Sequence, residues 1–68
     1  MNYEQARARL RAAVKKAGGL EQASKDLQCS KSVISYWLSG GRRPARMAHK
    51  IEKVYRIPAT AWLTPDER

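Results

Sequence analysis

An all-α domain is what this sequence predicts, on three observations. Apolar residues recur at spacings of three and four along most of the chain, glycine pairs and prolines punctuate those runs, and no segment alternates in the manner of a strand. The expected architecture is a compact bundle of five short helices, with residues 1–68 as a single domain. A chain of this length buries only about 60% of its unfolded surface, so helix–helix packing has to supply the core, aided by dimerisation. One cysteine excludes an internal disulfide, and no Cys/His cluster offers zinc ligands.

Asn2 is positioned to cap a first helix, with Gln5 completing a capping box. Tyr3, Ala6, Leu10, Ala13, Val14 and Ala17 form its apolar stripe, and Gly18-Gly19 stop it. A second helix is expected over 20–27, with Leu20, Ala23, Ser24 and Leu27 on one face. Gln28, Cys29 and Ser30 make a turn, and Ser30 caps a third helix over 31–38 that Ser39-Gly40-Gly41 ends. After the connector Arg42-Arg43-Pro44, Pro44 suits the first turn of a fourth helix whose inner stripe is Ala48, Ile51, Val54 and Tyr55, with Met47 at its margin. Ile57-Pro58 interrupts the pattern before a last turn or two of helix holding Trp62 and Leu63. Pro65 is expected to end the order, with residues 66–68 frayed.

Charge narrows the function classes. The formal net charge of +8, from 14 Lys+Arg against 6 Asp+Glu, favours a polyanion, either nucleic acid or an anionic membrane surface. There is no signal-peptide-like start and no run of about 18 apolar residues, so a cytoplasmic protein is expected, consistent with a lone Cys29. A single His, a single Cys and no paired carboxylates give no catalytic constellation, so an enzyme is not expected, nor a cofactor, a metal or a small-molecule ligand.

The third helix is the most informative segment. Ile34, Trp37 and Leu38 fall on one side, while Lys31, Ser32, Ser35, Tyr36 and Ser39 share the other. That outer side carries no acid, and serine is an indifferent helix former, so three serines there point to a packed partner rather than to a solvated face. Lys31 can donate to guanine O6 and N7, serines and Tyr36 to base edges or phosphate, and Val33 can touch a thymine methyl. Arg42, Arg43 and Arg46 can clamp phosphates without reading sequence. The basic residues of the first helix, Arg7, Arg9, Arg11, Lys15 and Lys16, are expected mainly in solvent. Cys29 reads as packing and His49 as solvated. Tyr55 and Trp62 either cap the core or build a dimer interface, with Leu63 the better core candidate and Trp62 partly at an interface.

Residues 20–38, LEQASKDLQCSKSVISYWL, resemble the helix-turn-helix of Cro and lambda-repressor-like phage regulators, and the whole chain resembles the small Cro-like and YdaS-like regulators. The resemblance implies a transcriptional regulator, a repressor by occupancy, binding a pseudo-palindromic DNA operator as a homodimer through the third helix in the major groove. It implies that Ser30, Lys31, Ser32, Ser35 and Tyr36 fall on base- and phosphate-contacting positions, with Lys31, Ser32, Ser35 and Tyr36 expected on bases and Ser30 on phosphate, where Ser39 and the three arginines are expected from their own placement. Where the family opens the second helix with glutamine this chain has Leu20, so Gln22 and the helix N-terminal amides are the expected substitutes. Where the family favours glycine in the turn stands Gln28, expected in a left-handed conformation. The competing expectation is an antitoxin or antiactivator-type protein-interaction module, which would present an apolar or acidic outer face on the third helix.

Overall fold

A computed structural model describes residues 2–62; Leu63, Pro65 and residues 66–68, on which expectations were placed, lie outside the described residues. Four α-helices in the order α1 (Tyr3–Ala17), α2 (Leu20–Leu27), α3 (Lys31–Ser39) and α4 (Ala48–Tyr55) precede a single 3₁₀ turn at Ala59–Trp62. Among the described residues there is no strand, and no helix is long and apolar enough to cross a membrane. Among the described residues the expected fifth helix is represented by the 3₁₀ turn alone. Pro58 precedes it and its carbonyl accepts from the Ala61 amide at 3.0 Å, the tight closure available to so short a segment.

Local chemistry fixes the helix ends. The Asn2 side chain accepts from the Gln5 amide at 2.8 Å and the Gln5 side chain accepts from the Asn2 amide at 3.0 Å, a complete capping box. Gly18 ends α1 in the left-handed region at φ 119°, and the Gly19 amide donates back to Val14 at 2.9 Å. Gln28 ends α2 in the same region at φ 56° and ψ 46°, as the turn requires of it. Ser30 accepts from the Val33 amide at 3.2 Å to start α3, which runs one residue past the expected Leu38 to Ser39.

The connector departs from expectation. Pro44 does not open α4, which starts only at Ala48. Instead Pro44 is buried beside Val33 and Trp37, so its ring packs rather than initiates. Val54 is also not part of the inner stripe, being 39% exposed. At about 100° per residue, Ala48, Ile51 and Tyr55 share roughly 60° of arc and Val54 lies another 60° round. Ile57, 1% exposed, fills the core just beyond the helix.

The core joins all elements. Ala6, Leu10 and Val14 of α1 meet Ala23 and Leu27 of α2, Ile34 and Trp37 of α3, and Ile51 of α4, with no polar or charged residue buried among the described residues. Ala23 is fully buried, and Ser24 beside it satisfies its hydroxyl by donating to the Glu21 carbonyl at 2.7 Å. Small side chains at these positions let α2 and α3 pack closely across a turn of three residues. Trp62, expected partly at an interface, is 1% exposed and packs its ring edge-on against Tyr3, with centroids 6.0 Å apart and planes at 75°. It therefore closes the core against α1 instead of offering a surface to a second copy.

Candidate nucleic-acid interface

α3 separates an apolar flank from a polar one. Ile34 is fully buried and Trp37 is 3% exposed, whereas Lys31, Ser32, Ser35 and Ser39 are exposed and Tyr36 is 62% exposed. The outer residues, with Leu20 from the start of α2, border an open depression of about 460 Å³. Leu20, which falls on the inner stripe of α2 and stands where the resembled family has glutamine, is half-buried at the rim of this surface. Nothing in the periodicity marks that edge position.

The hydroxyls differ in what they have left to give. Ser39 donates to the Tyr36 carbonyl at 3.0 Å, so its proton is engaged within α3. Ser30 uses its oxygen as an acceptor at the cap, which leaves its O–H free to donate outward. Ser32, Ser35 and Tyr36 stand exposed between them. Gly41 is close under the Tyr36 ring, where an added Cβ would sit 3.4 Å from Cδ1.

A second depression of about 510 Å³ lies on the other flank of α3. Val33, Trp37 and Met47 line it together with Arg42, Arg43 and Arg46, so the three expected phosphate-binding arginines are brought to one groove. All three are exposed. Arg43 lies over the Tyr3 ring with Cζ 4.5 Å from the centroid. From Leu27 to Ile51 the chain carries Lys31, Arg42, Arg43, Arg46 and Lys50 and no Asp or Glu. The α3 ridge is therefore flanked by cations without a carboxylate along the same stretch.

Gln22 is not brought to either depression. Its amide donates to the Asp26 carboxylate at 3.0 Å one helical turn on, which engages the donor and sets a negative charge beside it. The first-helix arginines are likewise not all solvated. Arg11 donates to the Leu38 carbonyl at 2.8 Å, and Arg7 is half-buried 5.6 Å from the Tyr3 centroid. Arg7 also presses against Gly40, where φ is 85° and any Cβ would collide with the guanidinium. Cations are favoured there by the negative dipole end of α3. The Arg11–Leu38 and Arg7–Gly40 contacts join residues distant in sequence, so no local pattern announces them, whereas Arg7 and Tyr3 stand one helical turn apart.

The turn side of the molecule is packed. Cys29 is half-buried against the core, and burial pushes its thiol pKa up, with Lys50 opposing. Tyr55 is half-buried, its hydroxyl is enclosed without a partner among the described residues, and its pKa is raised by burial and then by Asp26 and Cys29. Its enclosed hydroxyl suits a packing role better than the interface role weighed for it. His49 is exposed. No family model, curated protein or solved structure matches this chain.

Proposed function

We propose that this chain is a sequence-specific double-stranded-DNA-binding transcriptional regulator of the Cro-like type, with α2, its turn and α3 acting as a helix-turn-helix. The observation that carries the reading is the surface of α3: an exposed row of Lys31, Ser32, Ser35 and Tyr36 backed by buried Ile34 and Trp37, on a stretch with no acid. A helix of that kind presents donors to base edges in the major groove while its opposite side is held by the core. Lys31 reads guanine, and the hydroxyls of Ser32, Ser35 and Tyr36 read neighbouring edges. Arg42, Arg43, Arg46 and Ser30 hold the phosphates that set the helix in register. Two copies on a pseudo-palindromic operator give the affinity that one small module lacks, and occupancy in the bacterial cytoplasm excludes a polymerase or a rival regulator.

Selection of bound duplexes from a random pool at fixed salt tests this directly. The expected result is an enriched, two-fold-related motif bound at least about 10³-fold more tightly than random duplex. Retention of all duplexes alike would leave a non-specific polycation and overturn the reading.

A further inference from the structure

The geometry points to Tyr3 as a positioning residue: its ring holds the Arg43 guanidinium in place for a DNA phosphate before the DNA arrives. This rests on the DNA reading above. The ring is itself fixed, being half-buried at the start of α1 and wedged edge-on against the buried Trp62. Arg43 Cζ stands 4.5 Å from its centroid and Arg7 Cζ 5.6 Å, both within cation–π range. A guanidinium drawn to a ring face by its charge spends no hydrogen bond there, so its N–H donors stay available to pair a phosphate bidentately. An arginine on an exposed connector surrenders rotamer freedom when it grips a ligand. One already resting on an aromatic ring has surrendered much of it in the free protein.

The ring also couples α1 to the connector that carries the arginines. The phosphate-facing connector follows Gly40 and Gly41, which give it little rigidity of their own. Tyr3 ties that connector to the N-terminal turn of α1, and Arg11 and Arg7 tie the end of α3 to the same helix.

The test is a double-mutant cycle in duplex-binding titrations of the full chain, with nuclear magnetic resonance of the free protein. Tyr3→Leu is expected to weaken binding to preferred and random duplexes alike by about two- to fivefold, the size of an exposed cation–π contact. In the Arg43→Ala background the same change is expected to cost nothing further, and Tyr3→Phe, which keeps the ring, to bind like the unmodified chain. In the free protein, nuclear Overhauser contacts between the Tyr3 ring and the Arg43 side chain are expected, and these need no variant to fold. Equal losses from Tyr3→Leu in both backgrounds, or missing ring contacts, overturn the positioning role while leaving DNA recognition standing. An unmodified chain that binds no duplex overturns the DNA reading and the phosphate role with it, whatever the ring contacts show.

Discussion

Gln28→Gly is the sharpest test of the turn between α2 and α3. Gln28 is exposed at φ 56° and ψ 46°, a left-handed conformation that costs an ordinary residue about 1–2 kcal/mol and glycine nothing. Against that gain, glycine loses about 0.5–1 kcal/mol more backbone entropy on folding. The substitution also removes the hydrogen bond that Lys50 Nζ donates to the Gln28 side chain, an exposed contact. Gln28→Ala removes the same contact but keeps the strain, so comparing the two variants isolates the backbone. Glycine is expected to be more stable than alanine by about 0.5–1 kcal/mol, or roughly 2–8 °C in Tm for a domain of this size. Thermal and urea unfolding followed by circular dichroism reads the difference. Duplex affinity is expected to be unchanged, because Gln28 borders neither depression. A glycine variant no more stable than the alanine variant would refute a left-handed residue at this turn.

Lys31→Ala is expected to cost about 1–3 kcal/mol on the selected duplex and to relax preference at one base pair; equal losses on random DNA would make Lys31 a phosphate contact instead. Arg46→Ala is expected to weaken all duplexes alike and to reduce the slope of log affinity against log salt by about 0.9, and an unaltered slope would remove Arg46 from the phosphate set. Ile34→Ala, at a fully buried position, is expected to destabilise by about 2–5 kcal/mol in urea unfolding, enough to leave so small a domain partly unfolded. Tyr55→Phe removes an enclosed hydroxyl without a partner and is expected to be neutral or stabilising at pH 7. Because the folded-state pKa of Tyr55 is raised, its contribution is full below about pH 10 and lost as pH climbs through the folded value; the phenylalanine variant is expected to flatten that alkaline decline.

What was legible in the sequence is what local chemistry decides. Asn2 with Gln5, Gly18 and Ser30 mark helix ends because a cap needs only neighbours within a few residues. The division of α3 into Lys31, Ser32, Ser35 and Tyr36 outside and Ile34 and Trp37 inside follows from its period alone. Pro44 misled because a ring suited to a helix start is claimed by packing against α3. Val54 misled because a helix of two turns leaves only a narrow arc for the core. Gln22 suits a phosphate by residue type, and only the Asp26 partner reveals its engagement. Arg7 and Tyr3 are one helical turn apart, but the contacts of Arg7 with Gly40, Arg11 with Leu38 and Tyr3 with Arg43 join distant positions, so spacing carries no trace of them.

The edge-on pairing of Tyr3 with Trp62 fastens the first helix to the last described element. A ribosome makes Tyr3 well before Trp62, so the edge of α1 around that ring lacks its partner until the indole follows. A piece holding α1 to α3 alone therefore lacks that latch. By the same logic a protease cut between α4 and the 3₁₀ turn would loosen the first helix as well as the last segment. Resistance to digestion at the start of α1 thus depends in part on a segment far along the sequence.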